Sequence, residues 1–189
     1  MRRRRLVDAW LLAAALVAVA ISQANAQSSR SRANGPRQKI LMGWVELVVL
    51  GERELRLEAK LDTGADTSSL DATSIRRLRR KSSEERFVEF KVLDPDSGEL
   101  VDWREPLVRM AVIKRHSGRP QRRPVVELEI CVGTISKRVE FTLVSRSQFE
   151  YPVLLGREAL GGAVVVDSEL THTSPPACEG LGDRSEKER

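Results

Sequence analysis

Apolar and polar residues alternate along much of the chain from Ile40 onward, which is the pattern of strands with one buried face. An apolar run at residues 44–50 is followed by Gly51 and Glu52, and then by a segment in which every second residue from Leu55 to Leu61 is apolar. The two segments predict a hairpin whose second strand ends at Asp62. The same patterns predict further strands at residues 87–93, 107–113, 125–132, 135–144, 153–155 and 164–166.

Two short segments have a helical rather than a strand pattern. In residues 71–81, Ile75 and Leu78 are three apart, arginines fill the other positions, and Asp71 is suited to cap the N-terminus. We interpret these arginines as a solvated helix face, with a binding patch as the alternative. A second short helix is predicted at residues 157–160. Short strands separated by turn signals, such as the one at 94–98, indicate a mostly β fold, a closed barrel with one or two short helices.

The first 26 residues have the pattern of a signal peptide. Arg2 to Arg5 form a positive start, residues 10–21 are apolar but too short for a comfortable membrane span, and Ala24 and Ala26 place the cleavage before Gln27. We therefore expect a periplasmic or secreted protein without stable membrane insertion; an uncleaved anchor is the alternative. Residues 27–39 are predicted to be a flexible arm, residues 40–170 one domain, and residues 171–189 a disordered polar tail.

Composition narrows the possible partners. The chain carries 32 basic and 27 acidic residues, but removal of the leader leaves 28 against 26, so most of the basic excess lies in the leader. We therefore do not expect nucleic-acid binding. Hydrophobic residues make up 41% of the chain and aromatic residues only 4%, so aliphatic side chains must fill the core.

The cysteines and histidines do not form a metal motif. Cys131 lies in an apolar strand and Cys178 in a proline-rich tail; export would permit a disulfide, although the positions favour one buried thiol and one tail thiol. His116 and His172 are the only histidines, and neither has metal-site spacing. We expect no metal and no cofactor.

The segment around Asp62 carries the candidate chemistry. Asp62-Thr63-Gly64 follows an apolar strand, and Gly64 lets the backbone approach the carboxylate, while Thr63 offers a hydroxyl. About ninety residues later, Leu154-Leu155-Gly156 supplies what such a buried loop needs to pack against. Two carboxylates about 3 Å apart share one proton, because both cannot ionise, and together they act as base and acid for peptide hydrolysis by water.

The chain contains a single Asp-Thr-Gly, and about 163 residues remain after the leader, too few for a two-lobed aspartic protease. The second carboxylate must then come from a second copy across a two-fold axis. We therefore predict a homodimer that acts on a peptide or protein substrate.

Three sequence blocks resemble the bacterial retropepsin-like aspartic endopeptidases, a family historically labelled as an ATP-dependent zinc protease. The blocks are 60–65, 123–128 and 152–157, and the resemblance extends from residue 42 to residue 168. It implies that Asp62 is the catalytic aspartate and that residues 107–132 form the flap over the substrate. The old label does not fit, because the sequence has no Gly-x-x-x-x-Gly-Lys-Ser/Thr loop for ATP and no zinc motif.

The resemblance also assigns supporting residues. Thr63 and Gly64 assist Asp62, and Arg157 is expected to form an ion pair with Asp66. The positions expected to contact substrate are Ala65, Asp66, His116, Ser117 and Gly118, and those expected to support the loop are Leu154, Leu155, Gly156 and Arg157. The alternative function is a catalytically idle module that binds a peptide or partner in the same groove.

Overall fold

The computed structural model describes residues 38–51, 53–79, 85–113 and 119–178. The described strands and helix all lie in the compact unit that begins at Lys39. The predicted signal peptide and most of the predicted arm lie outside the described residues. The elements, in chain order, are β1 (Ile40–Leu50), β2 (Leu55–Leu61), β3 (Ser68–Asp71), β4 (Thr73–Arg79), β5 (Arg86–Leu93), β6 (Leu100–Pro106), β7 (Arg109–Ile113), β8 (Gln121–Val132), β9 (Ile135–Val144), β10 (Val153–Leu155), α1 (Arg157–Leu160) and β11 (Val164–Thr171).

Six strands close into a ring, which confirms the predicted mostly β barrel. The order around the ring is β1, β2, β10, β3, β9 and β8. The ring closes where Ile130 and Cys131 of β8 pair with the end of β1. The strands β11 and β7 extend the ring by pairing with β1 and β8. Because all neighbours in the ring are hydrogen-bonded, the barrel itself has no open sheet edge.

The alternation read from the sequence matches the buried face of the barrel. In β2, Leu55, Leu57, Ala59 and Leu61 are all buried, while the charged residues between them point outward. The aliphatic composition of the core is also confirmed, since Leu and Val dominate the buried cluster. Each fully buried Leu contributes on the order of 2 kcal/mol relative to an exposed one.

The predicted helix at residues 71–81 is wrong. Residues 73–79 form β4, which pairs antiparallel with β5 and, with β6, makes a separate three-stranded sheet. Ile75 and Leu78 are the half-buried residues of this strand, whose register shifts between Thr73 and Arg76. Asp71 does not cap a helix; its carboxylate accepts the backbone N–H of Arg146 at 2.6 Å. Long-range pairing overrides the local i, i+3 spacing here, and α1 is the only helix among the described residues.

The C-terminal region is more ordered than the sequence suggested. Cys131 in β8 forms a disulfide with Cys178, so the interpretation as two separate thiols is wrong. Residues 172–178, predicted as part of the tail, are also hydrogen-bonded to the domain, for example through Ala177 N–H to the carbonyl of Gly133 at 2.7 Å. The packed domain thus extends beyond residue 170, and residues 179–189 lie outside the described part of the chain.

Candidate active site

The loop that carries Asp62 connects β2 to β3, and it is held by β10, which lies between these two strands. The strand β10 lies between β2, with which it is parallel, and β3, with which it is antiparallel. The chain that leaves β2 must therefore cross the end of β10 before it enters β3. At that crossing, the N–H of Asp62 donates to the carbonyl of Leu155 at 2.9 Å. The expected support from residues 154–155 is thus provided by backbone pairing.

Gly156 makes the close approach of the loop possible. A Cβ atom at this position would lie 2.7 Å from the carbonyl oxygen of Thr67 and 2.8 Å from that of Asp66. The backbone N–H groups of the next two residues also bind this loop. The N–H of Arg157 donates to the carbonyl of Ala65 at 2.8 Å, and the N–H of Glu158 donates to the carbonyl of Asp66 at 3.1 Å. The start of α1 therefore hydrogen-bonds directly to the carbonyls of the Asp62 loop.

The side chain of Arg157 reaches the same loop, and the predicted ion pair with Asp66 is confirmed. The guanidinium also donates to the carbonyls of Thr63 at 3.0 Å and Gly64 at 2.9 Å. The side chains of Arg157 and Asp66 are 51% and 76% exposed, so solvent screens the attraction between their charges. Arg157 acts mainly as a donor to the backbone of the Asp62 loop.

The carboxylate of Asp62 is accessible. Its Oδ1 accepts the N–H of Gly64 at 2.9 Å, and Lys60 Nζ lies 3.9 Å from Oδ2. A Cβ at Gly64 would lie 3.2 Å from Oδ1, so a larger residue would crowd the carboxylate. The Asp62 side chain is 28% exposed, and Thr63 and Gly64 are exposed. A single copy of the chain therefore leaves this loop uncovered.

Asp62 lines a cavity of about 390 Å³. One wall is aromatic, formed by Trp44 and Tyr151, whose rings meet edge to face with centroids 5.6 Å apart. Leu154 extends this apolar wall, and the amine of Lys60 is also part of the lining. The cavity is large enough for an amino-acid side chain beside the carboxylate.

Arg146 lies between this cavity and a neighbouring one of about 330 Å³. Its side chain is buried, and it donates to Ser69 Oγ at 2.8 Å and to the carbonyl of Tyr151 at 3.0 Å. Burial lowers the pKa of Arg146, the charge of Asp71 opposes this, and the nearby Arg123 and Asp62 act in opposite directions. Neither Arg146 nor Trp44 lies within a recognisable motif, so neither could be singled out from the sequence.

The predicted flap is described only in part. Its arms are β7 and β8, which pair from Arg109↔Val125 to Ile113↔Gln121. The tip, with His116, Ser117 and Gly118, lies outside the described residues, and the substrate-binding role of these three residues stays a prediction.

Metal-binding side chains are not clustered in the described part of the chain, where no group of three His, Cys, Asp or Glu residues is placed to hold an ion. Cys131 and Cys178 are joined to each other, and His172 lies 3.0 Å from Glu58. Within the same ranges, no helix is long and apolar enough to cross a membrane.

A closed barrel in which one Asp-Thr-Gly loop is held by a Leu-Leu-Gly-Arg segment defines a retropepsin-like protein. The chain belongs to the RimB-like family, described as retropepsin-like aspartic endopeptidase RimB, whose model matches residues 41–176. This confirms the resemblance inferred from the sequence blocks.

Other similar proteins differ in length and name. A crystal structure of a Legionella pneumophila protein of unknown function is 33% identical, with a TM-score of 0.62, and the match covers 72% of this chain and 98% of that one. Proteins from Parasynechococcus marenigrum and Desulfotalea psychrophila, each named "Probable alpha-L-glutamate ligase", are 34% and 30% identical. The chain spans only 29% and 25% of the length of these two curated relatives.

Proposed function

We propose that this protein is an aspartic endopeptidase in which Asp62 from each of two copies forms the catalytic pair. The observation that carries the proposal is the Asp62 carboxylate, which lies at a cavity and on a loop fixed by Leu155, Gly156 and Arg157. Membership of a family of retropepsin-like aspartic endopeptidases supports the reaction class.

The reaction follows from two carboxylates that share one proton. The ionised carboxylate removes a proton from a water molecule, whose oxygen attacks the peptide carbonyl carbon, while the protonated carboxyl donates to the carbonyl oxygen. The tetrahedral intermediate then collapses: the carboxyl that took the proton from water gives it to the amine nitrogen, the C–N bond breaks, and a hydroxyl of the intermediate returns its proton to the other carboxylate. The pair ends with one proton, as it began, and no covalent intermediate with the protein is required.

The exposure of the loop supports assembly. Each chain supplies one Asp-Thr-Gly, and Thr63 and Gly64 are exposed on a single copy. A second copy placed with its Asp62 about 3 Å away would cover these residues and exclude water, which strengthens electrostatic interactions at the site. Dimerisation and formation of the active site are therefore the same event in this proposal.

Hydrolysis of an unfolded casein substrate by purified protein tests the proposal. Activity should withstand metal chelators and disappear in Asp62→Asn, which keeps the shape of the side chain but cannot act as a base. Asp96→Asn, at the exposed turn between β5 and β6, is the matched control and should be as active as the wild type. Equal activity of Asp62→Asn and wild type would contradict the proposal. Peptide binding without hydrolysis in both proteins would favour the idle binding module.

Peptides that contain glutamate are the first substrate class to test. The curated relatives are named for glutamate ligation, and two cationic side chains, Lys60 and Arg146, line the Asp62 cavity, which Glu150 also lines. A glutamate-rich fluorogenic peptide should be cleaved with a higher kcat/KM than its glutamine counterpart, and the preference should weaken at high salt. No preference between the two peptides would contradict this substrate class.

Export to the periplasm is part of the proposal. The leader pattern of residues 1–26 supports it, and so does the Cys131–Cys178 disulfide, since such bonds persist mainly in oxidising compartments. N-terminal sequencing of protein from the cell envelope should begin at Gln27. A retained Met1 would indicate an anchored form instead.

A further inference from the structure

The residues that follow β11 bind to β1 on both sides of Trp44. We call residues 172–178 the C-terminal strap. The N–H of His172 donates to the carbonyl of Val45 at 2.8 Å, and the N–H of Gly43 donates to Thr173 Oγ1 at 3.0 Å. The backbone groups of the residues immediately before and after Trp44 are therefore both held by the strap.

Regular strand pairing is interrupted at Trp44. The strand β1 pairs with β11 up to Gly43↔Asp167, and the next pair is Val45↔Thr171. At the crossing, a Cβ at Gly43 would lie 2.4 Å from the carbonyl oxygen of Leu170, so only glycine fits without movement of the backbone. The register shift thus falls at Trp44, and the strap holds the backbone on either side of it.

A buried carboxylate fastens the strap to β1. Glu46 has no exposed surface; its Oε1 accepts from Gly43 N–H at 2.7 Å, from Thr173 N–H at 3.0 Å and from the Thr173 hydroxyl at 2.6 Å, and its Oε2 accepts from Ser174 N–H at 3.0 Å. Burial alone would raise the pKa of Glu46, but these hydrogen bonds outweigh it and hold the pKa below its usual value. The disulfide from Cys178 to β8 anchors the far end.

The ring of Trp44, a residue between the two backbone positions that the strap binds, lines the Asp62 cavity and forms its aromatic wall with Tyr151. We propose that Trp44 is a substrate-positioning residue and that the C-terminal strap sets its position, so that an intact strap is required for tight substrate binding. The wall receives the apolar part of a substrate side chain, since aromatic rings offer a large and rigid contact area. This inference rests on the proposed peptidase function.

The link between strap and ring can be measured without hydrolysis. Protein labelled with 5-fluorotryptophan gives a separate 19F resonance for each tryptophan, and Trp44→Phe assigns the one of interest. Thr173→Val removes the hydroxyl donor to Glu46 and should shift or broaden the Trp44 resonance, while that of Trp103 stays unchanged. Thr173→Ser, which keeps the hydroxyl, should restore it. An unchanged Trp44 resonance in Thr173→Val would overturn the proposed link.

The role in binding has two readouts. With a casein-derived peptide that the wild type cleaves, Thr173→Val should raise KM by about fivefold or more and leave kcat within about twofold. Ser174→Ala, which keeps its backbone N–H to Glu46, is the matched control in the strap and should behave as wild type. Equal KM values for Thr173→Val and wild type would overturn the positioning role.

The second readout separates this inference from the proposed function. The same peptide, added to labelled Asp62→Asn protein, should shift the Trp44 resonance to saturation although no hydrolysis occurs. If the peptide shifts the Trp44 resonance but the wild-type protein does not hydrolyse it, the peptidase proposal is refuted and the Trp44 role stands. No shift at saturating peptide would refute the Trp44 role alone.

Discussion

Replacement of Arg157 by alanine should cost more than replacement of its ion-pair partner Asp66. The reason lies in the distribution of the contacts of Arg157. Its guanidinium binds the Asp66 carboxylate, but it also donates to the carbonyls of Thr63 and Gly64 at 3.0 and 2.9 Å, within the Asp-Thr-Gly sequence itself. Asp66→Ala removes only the first of these contacts.

The magnitudes follow from exposure. An exposed pair contributes roughly 0–1 kcal/mol, and the two side chains here are 51% and 76% exposed. Each hydrogen bond to a loop carbonyl adds about 1 kcal/mol. We therefore expect Arg157→Ala to lower the free energy of unfolding by about 2–3 kcal/mol and Asp66→Ala by about 0–1 kcal/mol. Arg157→Lys should be intermediate, because an ammonium cannot reproduce the planar fork of donors.

Urea denaturation of the two single variants and the double variant measures these losses in the free energy of unfolding. The double-mutant cycle isolates the coupling energy between the two side chains. The coupling between Asp66 and Arg157 should be below about 1 kcal/mol. Peptide hydrolysis should fall at least about tenfold in Arg157→Ala and less than about threefold in Asp66→Ala, since only the first releases the loop carbonyls. Equal losses of stability in the two single variants would refute the reasoning.

Three further predictions concern the support of the barrel and strap. Gly156→Ala should lower the free energy of unfolding by roughly 1–3 kcal/mol in urea titrations, because its Cβ would meet two loop carbonyls at 2.7–2.8 Å; an unchanged midpoint would contradict that contact. Replacing both cysteines by serine should cost about 4 kcal/mol on the chain-entropy model for a 47-residue separation, measured in the same way, and a loss below about 1 kcal/mol would be inconsistent with it. Glu46→Gln should be less stable than wild type at neutral pH, and this difference should shrink as the pH falls below about 4.5. The pKa of Glu46 is lower in the folded state, so its stabilisation is present above the unfolded value and is lost as the carboxyl protonates in the folded protein; a constant difference between pH 7 and pH 3 would contradict this.

The sequence predicted the barrel and the Asp62 loop because both depend on local patterns. Alternation in β2 and the Asp62-Thr63-Gly64 turn are properties of neighbouring residues, and the Leu154-Leu155-Gly156 segment matched what such a turn needs to pack against. The pair between Asp66 and Arg157 followed from their positions relative to these two segments, and it is present in the structure.

The features that the sequence did not reveal depend on partners distant in the chain. Residues 73–79 have helical spacing, but pairing with β5 makes them a strand. The disulfide of Cys131 requires that Cys178, 47 residues later, return to the barrel, and nothing near either cysteine indicates this. Arg146 and Trp44 reach the Asp62 cavity only because the barrel closes, so no local pattern indicated that they line it.

Mixing wild-type protein with inactive Asp62→Asn protein tests the central claim most directly. At fixed total concentration, after subunits have exchanged, the account predicts that activity follows the square of the wild-type fraction, because only a dimer with two Asp62 carboxylates is active. An equal mixture should then retain about a quarter of the wild-type activity. Retention of about one half, in a linear relation, would show that each copy acts alone and would contradict the shared catalytic pair.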